Sequence, residues 1–81
     1  MEMRHSRSMF ITWEEAQRLR PVLKKLSEEA PYSEIRRSAK ALYRELGDIK
    51  KIDYSPFPGH QLILSRYDKR VVDTVIEALE D

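Results

Sequence analysis

Residues 32–47, YSEIRRSAKALYRELG, decide how this chain folds, because they read as one helix with two opposed faces. At about 100° per residue, Ile35, Ala39, Leu42 and Leu46 fall within about 60° of one another, with Ser38 and Tyr43 at the margins. That stripe must face a core. Arg36, Arg37, Lys40 and Arg44 share a separate arc of about 100°, and the acids Glu34 and Glu45 lie beyond its edge. Arg36, Lys40 and Arg44 follow one another at i, i+4 and i+8, so each neighbouring pair repels by roughly 0.2–0.5 kcal/mol in an isolated helix. Helix stability alone does not select such an arc. A solvated charged face is the plain explanation and a surface for anions the functional one.

Upstream, Pro31 and Tyr32 break the chain, and Ser33 is the expected N-cap of this helix, with Gly47 as its stop. Met9, Phe10 and Ile11 read as an edge strand. Thr12 then opens a capping box, T-W-E-E, in which its hydroxyl and the Glu15 carboxylate cap the helix reciprocally, so a helix starts at Trp13. Ala16, Leu19, Val22, Leu23, Leu26 and Ala30 share its inner face, and Glu14 with Arg18, Lys24 with Glu28 and Lys25 with Glu29 compensate one another outside. The apolar pattern stays in phase across Pro21, which favours one kinked helix over two separate ones. Thr12 to Leu26, TWEEAQRLRPVLKKL, resembles the opening helix of a family of uncharacterised bacterial proteins with a similar Thr-x-Glu-Glu-Ala and a downstream proline. The likeness covers under a fifth of the chain and implies no function.

Downstream, Ile49 to Tyr54 alternates as a strand, Ser55 to Gly59 is a turn, and His60 to Tyr67 is a second strand whose Leu62-Ile63-Leu64 centre calls for cover on both faces. The two are expected to pair as a hairpin. Asp68 can cap a last helix, Lys69 to Glu80, whose Val71, Val72, Val75, Ile76, Ala78 and Leu79 span about 160°. Its Lys69 and Arg70 begin, and its Glu77, Glu80 and Asp81 end, against the helix dipole. The order β-α-α-β-β-α predicts a small single α+β domain over residues 9–81 behind a flexible tail at 1–8, with a two- or three-stranded antiparallel sheet packed against three helices. A winged-helix-like arrangement is compatible with that order if Pro21 opens a third helix ahead of the hairpin.

Composition narrows the chemistry. Charged residues make up 36% of the 81 and apolar ones 41%, which suits a globular domain rather than a disordered chain. The net charge is +1, but residues 31–54 hold six basic and four acidic groups while residues 55–81 hold three and five, so the middle is basic and the end acidic. No cysteine is present, which removes disulfides, thiolate nucleophiles and cysteine metal sites. No apolar run reaches the roughly 20 residues of a membrane span and the N-terminus has no signal-peptide core, so a cytoplasmic protein without membrane contact is expected. Two glycines leave no room for a phosphate loop, and no Gly-x-Ser-x-Gly elbow occurs. Glu14/Glu15 and Glu28/Glu29 diverge by about 100° and make no acid–base dyad. His5 lies in the tail and His60 in the hairpin turn, where Asp53 could pair with it but no nucleophile is evident. No catalytic residue, metal ligand or cofactor is therefore expected, and the protein is read as a non-enzyme that works by binding.

Two binding functions follow. In the first, nucleic acid, duplex more readily than single strand, meets Ser33, Arg36, Arg37, Lys40 and Arg44 of the basic helix and Lys50, Lys51 and His60 of the hairpin. In the second, a protein partner or a second copy in a homodimer meets exposed apolar groups. The candidates are Phe57, held stiffly between two prolines, Trp13, which lies off its helix's inner face, and Val72 and Ile76 of the broad last helix.

Overall fold

The computed structural model describes residues 8–52 and 58–80. Its elements run β1 (Ser8–Ile11), α1 (Trp13–Glu29), α2 (Ser33–Gly47), β2 (His60–Ile63), a 3-10 turn (Leu64–Arg66) and α3 (Lys69–Glu80). The protein is an α+β fold of three helices and a two-stranded antiparallel sheet.

Local signals set the helix ends. The Glu15 amide donates to Thr12 Oγ1 at 3.1 Å and the Thr12 amide to Glu15 Oε1 at 2.9 Å, so the capping box closes in both directions. From there α1 runs unbroken through Pro21, whose ring lies on the exposed side. A Pro inside a helix removes one ladder bond, and the in-phase burial of Ala16, Leu19 and Leu23 holds the helix together across it. The N-cap of α2 is Tyr32 and not Ser33: the Tyr32 carbonyl already accepts the Arg36 amide at 3.1 Å, which puts Ser33 at the first helical position. No side chain caps that end. Gly47 closes α2 in a right-handed conformation and serves by its size, because a Cβ there would sit 3.1 Å from Arg20 Nη2.

The core lies between α1 and α2 and is closed by the sheet and α3. Leu19 and Leu23 of α1, Leu42 and Leu46 of α2, Ile11 and Leu62 of the strands and Val71 and Val75 of α3 are fully buried. The stripe anticipated on α2, Ile35, Ala39, Leu42 and Leu46, is buried throughout.

The sheet pairs differently from the expected hairpin. β2 lies antiparallel to β1, with Ser8 opposite Ile63 and Ile11 opposite His60. Ile49 to Ile52 forms no strand: the Ile49 amide bonds back to the Leu46 carbonyl and the Ile52 amide to the Lys50 carbonyl, so the segment curls locally. Asp53 and Tyr54, the rest of that expected strand, lie outside the described residues, as do residues 1–7 of the tail. β2 is also shorter than expected, because the chain tightens into the 3-10 turn at Leu64. Gly59 makes the entry to β2 at φ +154°, where a Cβ would lie 2.5 Å from the Ile11 carbonyl oxygen. Among the described residues two helices precede β2, and Pro21 lies inside the first rather than opening a third, so the three-helix run ahead of a wing is not formed there.

Asp68 caps α3 as anticipated, its Oδ1 accepting the Arg70 amide at 2.9 Å, while its own amide donates to Ser38 Oγ at 2.7 Å and ties α3 to α2. Arg70 looked misplaced at a helix start, yet its Nε and Nη2 fork onto the same carboxylate at 2.9 Å each. The Arg70 guanidinium, then its amide, holds the Asp68 carboxyl down at about 2. A carboxylate with a depressed folded pKa stabilises above its unfolded value and loses that contribution as pH falls toward the folded one. Asp68→Asn should therefore flatten the loss of stability between about pH 4 and pH 2, which acid unfolding followed by circular dichroism measures.

Candidate functional site

α2 presents a different neighbour on each side. Toward α1, the Arg20 guanidinium lies over the Tyr43 ring at 4.5 Å from its centroid, filling the space left by Gly47. Arg36 also turns that way: its Nη1 donates to the Ala30 carbonyl at 2.6 Å, satisfying the C-terminal end of α1. Toward α3 and β2, Ser38 holds Asp68, and Glu45 accepts from two side chains at once. His60 Nε2 donates to Glu45 Oε2 at 2.9 Å and the Tyr67 hydroxyl donates to Glu45 Oε1. Burial, then the hydrogen bond to Glu45, pushes the Tyr67 hydroxyl's pKa well above its ordinary value, so it stays a donor at any neutral pH.

What remains outward is basic. Arg37, Lys40 and Arg44, at i, i+3 and i+7, are all exposed on one face, and Ser33 is exposed at its start. Lys40 and Arg44 make no ion pair or hydrogen bond among the described residues. Arg37 lies within the field of Glu34, at the edge of the face, and so does Arg70.

Of the residues expected to act with this helix, His60 is held by a carboxylate of the helix itself and Lys51 lies against another ring. Lys51 is exposed, with its Nζ 4.9 Å from the centroid of the Trp13 ring at the start of α1. Lys50 is exposed, and His60 is turned against the last turn of α2 by Glu45. Of the apolar candidates, Trp13 is half-buried against the core, Val72 is inside it, and Ile76 is partly buried. Phe57 lies outside the described residues.

No family model, curated protein or solved structure matches this chain. Function therefore has to be read from the surface itself.

Two further surface features complete it, the groove at the end of α1 and the exposed Tyr32 ring. Among the described residues, no cluster of His, Cys, Asp and Glu is placed to hold a metal ion, and no helix is long and apolar enough to cross a membrane. An open apolar groove of about 370 Å³ lies where α1 ends, lined by Val22, Leu26, Ala30 and Pro31 with Lys25, Glu29 and Thr74 at its sides. Tyr32 is 58% exposed, and the Arg70 guanidinium lies over its ring at 5.6 Å from the centroid. Neither Tyr32 nor Arg70 stood out in the sequence as a site residue. An aromatic at an N-cap position was the available signal, since Ser, Thr, Asp and Asn are the residues that stabilise that position.

Proposed function

We propose that this protein acts by binding nucleic acid, holding the phosphate backbone against the outward face of α2, and that it carries out no reaction of its own. The observation that supports this reading is the row Arg37, Lys40 and Arg44, exposed, on one face, and in mutual repulsion. Such a row costs helix stability when nothing binds and is relieved when anions are present. Ser33, at the exposed first turn of α2, is left out, because its hydroxyl donates to Glu34 Oε1 at 3.3 Å and that carboxylate already occupies the helix start. Arg36 is left out, because it is committed to the end of α1.

Three neutralised phosphates set the expected salt dependence. The slope of log affinity against log salt should be about −2.7 for a duplex and about −2.1 for a single strand. Replacing Arg37, Lys40 and Arg44 together by Ala should abolish binding at moderate salt and leave the melting temperature little changed, because the repulsive pairs removed offset the lost cation in the last turn. Absence of binding at low salt, or equal binding by the triple variant, sinks the proposal.

A second reading has the groove in its favour: a protein partner, or a second copy of this chain, could seat an apolar side chain against Val22 and Leu26. Sedimentation over a wide range of concentration tests the homodimer, and a strictly monomeric chain counts against it.

A further inference from the structure

We infer that the nucleic acid is single-stranded and that one of its bases stacks on Tyr32 beside the Arg70 guanidinium; this rests on the phosphate-binding reading of α2 just given. A duplex hides the faces of its bases in its own stack and offers phosphates and groove edges, whereas an unpaired strand offers base faces that aromatic rings and guanidinium planes can cover.

The surface carries both halves of a single-strand site. Tyr32 stands at the N-cap of α2, one turn or so before Arg37, and caps nothing with its side chain. A small polar residue there would stabilise the helix, so helix stability does not account for an exposed ring. Arg70 contributes a plane more than a charge. Its Nε and Nη2 are taken by the Asp68 carboxylate, and this fork holds the guanidinium near Tyr32, 5.6 Å from the ring centroid, before any ligand arrives. A guanidinium already held by its carboxylate loses little freedom when a base joins it. The Asp68 amide donates to Ser38 Oγ at 2.7 Å, so the start of α3, with Arg70 forked onto Asp68, is seated against the same helix that carries the basic row. From there Arg37 to Arg44 extends about 10 Å along the helix, giving the backbone of the same strand a track to follow.

The test is a titration of the full chain with a 12-nucleotide oligothymidylate and with a duplex of the same length, at low salt, for the unchanged protein, Tyr32→Ala, Tyr32→Phe and the Arg37/Lys40/Arg44 triple Ala variant. The single strand should bind more tightly than the duplex. Tyr32→Ala should weaken single-strand binding by roughly 10-fold to 100-fold with little effect on the duplex, and Tyr32→Phe should restore it. In the unchanged protein the Tyr32 ring protons should move upfield as the strand is added, a signature of stacking that does not depend on any variant folding. Binding abolished by the triple variant, together with Tyr32→Ala affinity within about twofold of the original or with unmoved ring protons, overturns the stacking inference and leaves phosphate binding standing. No binding of either probe overturns both.

Discussion

Gly59→Ala should cost about 2–6 kcal/mol, a large share of the roughly 5–15 kcal/mol that holds a domain of this kind folded. Gly59 is buried at φ +154°, a conformation that L side chains rarely adopt, and its added Cβ would lie 2.5 Å from the Ile11 oxygen and 2.8 Å from the Ile11 carbonyl carbon. Neither side can retreat. Ile11 is fully buried and forms the last rung of the sheet with His60, and the next residue, Thr12, is locked into the capping box of α1. The methyl group therefore pushes on the sheet and on the start of α1 together. Urea unfolding measures the loss, and a change below about 1 kcal/mol would show that the junction can open without consequence.

Two residues apart on α2, the outcomes should differ several-fold in size. Leu42 is 1% exposed at the centre of the core, so Leu42→Ala should cost about 2–5 kcal/mol and lower the melting temperature by at least about 10 °C. Arg44 points outward without an ion pair among the described residues. Arg44→Ala should change stability by less than about 1 kcal/mol, because relief of its repulsion with Lys40 offsets the loss of a cation in the last turn of α2. Thermal melts of the two variants side by side separate the face that builds the fold from the face proposed to bind. A larger loss for Arg44→Ala would mean that the basic row holds the fold together.

Features written in neighbouring residues were legible in the sequence. The Thr12 capping box, the buried stripe of α2 and the Asp68 cap each depend on spacings of two to four residues, where geometry leaves little choice. The pairing partner of β2 was not, because alternation at Ile49 to Tyr54 and the apolar run at Met9 to Ile11 compete for one edge and only the global packing decides between them. The same limit applies within the candidate site. Arg36 sits at the edge of the basic arc nearest α1, and the break at Pro31 carries the end of α1 back within its reach; nothing in the local pattern distinguishes it from Arg37. His60 likewise found Glu45, fifteen residues away on a helix, rather than a neighbour in its own turn.

The pairing of β1 with β2 also orders the chain's assembly in time. Helices α1 and α2 are joined by a short break and can dock as soon as both exist, whereas the strand made first must wait for one that lies more than fifty residues later. Closing that long loop is the slow, entropically expensive step, and the apolar edge at Met9 to Ile11 stays open to other chains until it is complete. On a ribosome, the sheet can be finished only once the chain has grown past Ile63.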